Sequence, residues 1–291
     1  MRKSSMPQAR QFERPSGLQW DISPQALERW TPNLMAAAAT DEASTISIFE
    51  PIGFDFWTGE GVTAKRISAA LRSIGAENAV IVNINSPGGD LFEGLAIYSL
   101  LREHKGNVQI KVLGLAASAA SIIAMAGDDI QIARAGFFMI HNTWVVALGN
   151  RNDLRDVADT LEPFDLAMAD IYTARTGLDP KAVQKKMDAE TWINGSAAVD
   201  EGWADSLLSS DQVKENKSAK AGERAAPYLV DMALAKAGMP RSERRSLLNE
   251  YKSGMRGAPG SGTPRAAEDD TPCAAVNGEL MEAMKSFSVA A

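Results

Sequence analysis

Cysteine and histidine are scarce in this chain, with one and two residues respectively among 291. A lone thiol, Cys273, excludes an intramolecular disulfide, so a reducing compartment suits the chain. Cys273 lies in a Gly/Pro/Ala-rich stretch with no histidine near it in sequence, and reads as an incidental thiol. The paired Cys and His ligands of a zinc site are missing, so neither a metal nor a cofactor is expected. No apolar run approaches the ~20 residues of a membrane span. The longest, Leu113–Ala126, is broken by Gly114, Ser118 and Ser121. The opening MRKSSMPQARQFERPSG is basic but leads into no apolar signal core, and the expected location is cytoplasmic. Positive charge is also short, with 30 Lys and Arg against 37 Asp and Glu, a net −7 and a pI near 5.1. Nucleic acid is therefore not an expected partner, because phosphate binding needs clustered cations. A GxxxxGK[ST] motif is absent, so the chain supplies no ATPase of its own.

What is present is the composition of a globular domain, 45% hydrophobic and 23% charged. Residues 1–44 are polar and broken by Pro7, Pro15, Pro24 and Pro32; they read as an N-terminal arm with one short helix near Pro24–Trp30. From Ile46 the pattern changes. ISIFE, AVIVNIN (79–85), VQIKVLGL (108–115), DIQIA (129–133) and FFMIH (137–141) read as strands. Ala64, Ile67, Ala70, Leu71 and Ile74 recur at helical spacing over about 61–75, and further helices are predicted over about 90–104 and from Ser118. Alternating strands and helices indicate an α/β fold with a mostly parallel sheet. A long helix is expected over about 150–177, interrupted or kinked near Pro163. A shorter one over 180–188, a strand TWI (191–193), a helix from Ser196 and a last segment Ala204–Leu208 follow. The compact domain is thus 45–210. Residues 211–291 read as a charged linker, two weak helices at 226–238 and 241–254, a disordered stretch over 254–272 and a short helix at 278–288.

Three motifs can carry chemistry. Ser118 lies in GLAASAAS at a strand-to-helix junction. A serine there has a plain role as a helix N-cap. Alternatively, its small neighbours admit a substrate backbone, and the helix start aims N–H groups at a developing oxyanion. Ser121, one turn on, is expected to pack inside the helix. His141 ends an apolar strand and is either a core histidine or a base; His104, at the polar end of a helix, is expected to be solvated and structural. NSPGGD (85–90) is either a simple turn or a device presenting the Gly89 N–H, since glycine permits close approach.

Taken together and in order, INSPGGD, GLAASAAS and FMIHN resemble the proteolytic-subunit family of Clp protease, over about 45–208. The segment IGFDFWTGEGVTAKR (52–66) is more similar to the phage- and prophage-encoded branch, the head maturation proteases. The resemblance implies a ClpP/crotonase-like spiral of ββα units with a handle-like long helix. It also implies a serine endopeptidase: Ser118 as nucleophile, His141 as general base, and the backbone N–H groups of Gly89 and Ala119 as oxyanion donors. The family has Met after the nucleophile where this chain has Ala119, a change that leaves the backbone donor in place. The third triad residue is Glu190, two before Trp192, with Asp188 as the alternative; both also read as surface acids. Asp205 reads as a turn residue. The implied partners are polypeptide substrates (capsid and scaffold proteins on the phage reading), copies of the chain in a ring, and a separate ATPase unfoldase. The implied setting is host cytoplasm or procapsid. Leu154, Val157, Leu161, Phe164, Leu166, Met168 and Ile171 of the long helix serve either ring stacking or the core. Two other classes stay open: an inactive shell component that kept the fold, and a crotonase-type acyl-CoA enzyme, which would not use a Ser/His pair.

Overall fold

The computed structural model describes residues 44–54 and 61–209 without a break, with shorter pieces between 6 and 36 and between 213 and 256. Cys273, residues 55–60, most of the linker and weak helix over 211–238, the stretch 257–272 and the helix expected at 278–288 lie outside the described residues. Two compact units divide the chain between Ser246 and Leu247. The second contributes only the end of the helix Arg241–Arg256 among the described residues.

The first unit begins with β1 (Gln19–Trp20), α1 (Pro24–Arg29), β2 (Leu34–Ala36), β3 (Thr45–Ile48), β4 (Gly53–Phe54), β5 (Gly61–Val62) and α2 (Ala64–Ile74). β6 (Val80–Ser86), α3 (Leu91–Glu103), β7 (Val108–Ala117), α4 (Ala119–Ala124), β8 (Asp129–Ile132), β9 (Phe137–Ile140) and β10 (Val145–Val146) follow. The last are α5 (Arg151–Thr176), α6 (Pro180–Asp188), β11 (Thr191–Asn194), α7 (Gly195–Asp200), β12 (Ser206–Leu207) and β13 (Val213–Glu215).

The main sheet runs β11-β9-β7-β6-β3, with β8 on β7 and β12 on β8. All its pairs are parallel except β9–β11. The long strand β7 is shared along one edge. Gln109–Val112 pair with β8 and Leu115–Ala117 with β9, so the sheet changes partner just before Ser118. β6 is buried along nearly its whole length, as parallel strands covered on both faces are. Each fully buried Val or Ile there contributes roughly 1.5–3 kcal/mol.

Helix ends follow local chemistry. Thr63 caps α2 by accepting from the Arg66 N–H, and Asp90 caps α3 by accepting from Phe92 and Glu93 N–H. α2 starts at Ala64 and not at 61, because Gly61–Val62 pair with Gly53–Phe54. Gly94 lets α3 and α4 meet closely, since a Cβ at 94 would fall 2.9 Å from that of Ala119. α5 opens on an Asn150/Asp153 capping box, runs as one helix through Pro163 and ends at left-handed Gly177. Its second half buries Phe164, Met168, Ile171 and Tyr172, while residues 151–163 are exposed or half-buried.

His104 differs from expectation. It is 7% exposed, and its ring bonds the Asn78 carbonyl at 2.8 Å. The α3–β7 turn folds back over it, so it is structural but not solvated. The stretch 1–44, read from sequence as a polar arm, contributes buried Trp20, Ala26, Leu27 and Trp30.

Candidate active site

The candidate residues collect at the carboxyl ends of β6, β7 and β9, where open parallel sheets bind their ligands. Ser118 sits at the start of α4 with φ +52° and ψ −124°, and its side chain makes no capping bond. The N-cap role is therefore not the one it plays. From Val112 to Gly127 every residue is buried except Ser118. Such a backbone costs about 1–3 kcal/mol and persists only where the surroundings over-determine it. Here they do. Its N–H donates to the Met139 carbonyl at 2.8 Å. Its carbonyl accepts from the Ser121 N–H at 2.9 Å, the Ile122 N–H at 3.3 Å and the Ser121 hydroxyl at 2.6 Å. Ser121 is buried as expected, and its oxygen is also 2.7 Å from the Tyr172 hydroxyl. α5 thus braces the serine turn through a tie the sequence did not reveal.

The glycine turn lies against this serine. A Cβ at Gly88 would fall 2.7 Å from Ser118 Cβ and 2.6 Å from the Ala117 carbonyl oxygen. One at Gly89 would fall 2.2 Å from the Ile52 carbonyl oxygen. Both glycines also hold positive φ, +88° and +144°. Ile52 donates to the Gly88 carbonyl at 2.8 Å and accepts from the Asp90 N–H at 3.0 Å, a parallel bridge centred on Gly89. In such a bridge the central residue turns its own N–H and C=O to the opposite edge. The Gly89 N–H is therefore directed away from Ile52. Ala119, first in α4, has an N–H that no turn of its own helix can satisfy.

His141 follows β9, whose Met139 stands beside Ala117 and receives the Ser118 N–H. It is 5% exposed, and burial lowers its pKa from 6.5 to about 4. The ring is therefore neutral at pH 7, the form a base requires. Among the described residues no hydrogen bond joins it to Ser118, Glu190 or Asp188. The two residues after it are held by carboxylates: Asn142 donates to Asp188 at 2.8 Å, and the Thr143 N–H to Asp165 at 2.5 Å. Burial first, then the nearby charges of Asp188 and Glu162, push the Asp165 carboxyl up, against the lowering effect of its bonds to Thr143. A carboxylate in the apolar run FDLAM was the available sequence signal for it.

Asp188 is exposed and turned to Asn142. Glu190 is half-buried and holds φ +46°. β11 pairs with β9 antiparallel; the ladder ends at Thr191 against Ile140, and the Glu190 N–H, just before it, donates to the Met187 carbonyl at 3.0 Å. Among the described residues, Ser118 and Glu190 are the only non-glycine positions with positive φ. Asp205 accepts from the Ile130 N–H at 2.8 Å and pairs with buried Arg175 at 2.5 Å. No group of three or more metal-ligating side chains occurs among the described residues, and none of their helices is long and apolar enough to cross a membrane.

The fold is of the α/β class, a mostly parallel sheet with helices, whose candidate site lies at the strand ends. The chain belongs to the Clp protease family, whose profile matches residues 60–211, just over half of it. It is 31% identical to the ATP-dependent Clp protease proteolytic subunit 1 of Prochlorococcus marinus (strain MIT 9312), over 157 residues covering 52% of this chain and 80% of that protein. Subunit 2 of Treponema denticola is 32% identical over 136 residues, 45% of this chain and 67% of that one. The Deinococcus radiodurans subunit is 30% identical over 149 residues, 50% and 72% of the two chains.

Proposed function

We propose that the chain is a serine endopeptidase with Ser118 as nucleophile and His141 as base. One observation carries this reading most: a strained serine at a strand–helix turn, the one residue between Val112 and Gly127 that is not fully buried, with Gly88 packed against its Cβ where no side chain would fit. Ser118 Oγ bonds to the peptide carbonyl carbon as His141 takes its proton. The Gly89 and Ala119 N–H groups hold the oxyanion, each worth roughly 3 kcal/mol. The C–N bond then breaks, His141 gives its proton to the departing amine, and water frees the acyl group by the reverse route. Glu190, which adjoins the Thr191–Ile140 pair on β11 as His141 does on β9, is the proposed acid that orients the ring and offsets the imidazolium. Asp188, committed to Asn142, is the alternative, acting through that residue. The Ser118–His141 hydrogen bond closes in the substrate complex, as catalytic bonds that are long in free enzymes do.

Assembly into a ring through the exposed first half of α5 completes the proposal. The 52–66 segment favours capsid and scaffold polypeptides as substrates. The names of the relatives favour a separate ATPase that delivers polypeptide to the ring. Hydrolysis of an internally quenched peptide separates this reading from a shell protein without activity. Wild type and His104→Ala should cleave within a few-fold of each other, and Ser118→Ala and His141→Ala should not. Equal rates in all four would end the assignment.

A further inference from the structure

We infer that the described residues between Arg14 and Thr31 form a strap across the candidate site, whose portion through Trp20 a substrate must displace. This inference rests on the protease reading and concerns the regulation of that same site.

The strap's anchors fall on neighbours in sequence of Gly89, Ser118, His141 and Glu190. Arg14 pairs with Asp90, next to Gly89, and lies 4.9 Å over the Phe92 ring. Trp20 sits edge-on to Phe92 at 5.0 Å and to Phe164 at 5.5 Å. β1 pairs antiparallel with β10, Trp20 against Val145 and Gln19 against Val146, a few residues past His141. Ala26, Leu27 and Trp30 share one apolar cluster with Ala117 and Met139. Arg29 lies 4.4 Å over Trp192, two residues past Glu190. The Trp30 indole donates to the Asn85 carbonyl at 2.9 Å, and the Asn85 amide returns to the Thr31 carbonyl at 2.7 Å.

Extended peptides bind by adding a strand to a free sheet edge. The strand that follows His141, β10, lies outside the main sheet, and the partner it pairs with is this chain's own Gln19–Trp20, whose tryptophan also packs on Phe92. The two tryptophans are held unequally. Trp30 has its indole partner, whereas the buried Trp20 Nε1 has none among the described residues. An unpaired buried donor weakens the hold of the segment that carries it. The release point therefore lies between them: residues through Trp20 detach, and α1 with Trp30 stays.

Trp20 and Val145 face each other across an antiparallel pair, where Cα atoms stand about 4.5–5.5 Å apart, within reach of a disulfide. The test uses the full chain carrying Trp20→Cys and Val145→Cys, with Cys273→Ser to remove the native thiol. The oxidised form should cleave a quenched decapeptide at least ten-fold more slowly in kcat/KM, and reductant should restore the rate. Trp20→Ala alone should raise kcat/KM several-fold, mainly through a lower KM. Equal rates in the oxidised and reduced forms overturn the strap while leaving the protease reading intact. A reduced form that neither cleaves nor reacts at Ser118 with a fluorophosphonate overturns both.

Discussion

Thr191 pairs with Ile140 at the end of the β9–β11 ladder, and Glu190 and His141 each adjoin that pair in sequence. In the proposed mechanism Glu190 fixes the imidazole and offsets its charge once it takes a proton. Glu190→Gln should lower kcat by about 10²–10⁴-fold with little change in KM. Asp188→Asn, which keeps a carbonyl acceptor for Asn142, should stay within a few-fold. The reverse order of effects would move the third role to Asp188.

Strain at Ser118 sets stability against chemistry. Glycine adopts positive φ freely, so Ser118→Gly should unfold about 1 kcal/mol less readily than wild type and lose all activity. Ser118→Ala should lose activity without that gain, because alanine keeps the Cβ. Denaturant midpoints of the three proteins decide the matter; an unchanged or lower midpoint for the glycine variant would mean that the turn stores no strain.

His141 links stability to pH. Its pKa is about 4 in the fold and 6.5 when released, so the unfolded chain binds more protons between those values. Stability owed to the neutral ring is complete above about pH 6.5 and is lost as pH falls to 4, roughly 3 kcal/mol across the window. The unfolding midpoint of His141→Asn should therefore decline less over that range than that of wild type. Parallel declines would show that the ring is not held neutral by burial.

Much of this was legible in the sequence, and the remainder has a physical reason for being hidden. AVIVNIN reads as a strand buried on both faces because its apolar run is nearly unbroken, and VQIKVLGL reads as a further strand. Asn150 with Asp153, and Gly177, mark the ends of α5 by local capping chemistry. Gly88 and Gly89 announced a turn, but only folding brings Ile52 alongside to aim the Gly89 N–H. The Tyr172–Ser121 tie, the Asp165 anchor and the Trp20 contacts all join residues far apart in the chain. Periodicity cannot report such pairs, and His104 was misjudged for the same reason: its partner, Asn78, is on another turn.

The first half of α5 leaves Leu154 46% exposed, while its second half serves the core. Ring stacking through that half would cover this surface. Leu154→Asp should shift sedimentation toward smaller assemblies and leave the circular dichroism of the subunit unchanged. An unaltered sedimentation profile would take this face out of the interface.

The central claim is the nucleophile, and mass spectrometry of protein treated with a fluorophosphonate addresses it most directly. The expected result is one adduct, on the peptide containing Ser118, absent from both Ser118→Ala and His141→Ala. An unmodified wild-type chain, or an adduct on any other serine, would contradict the account.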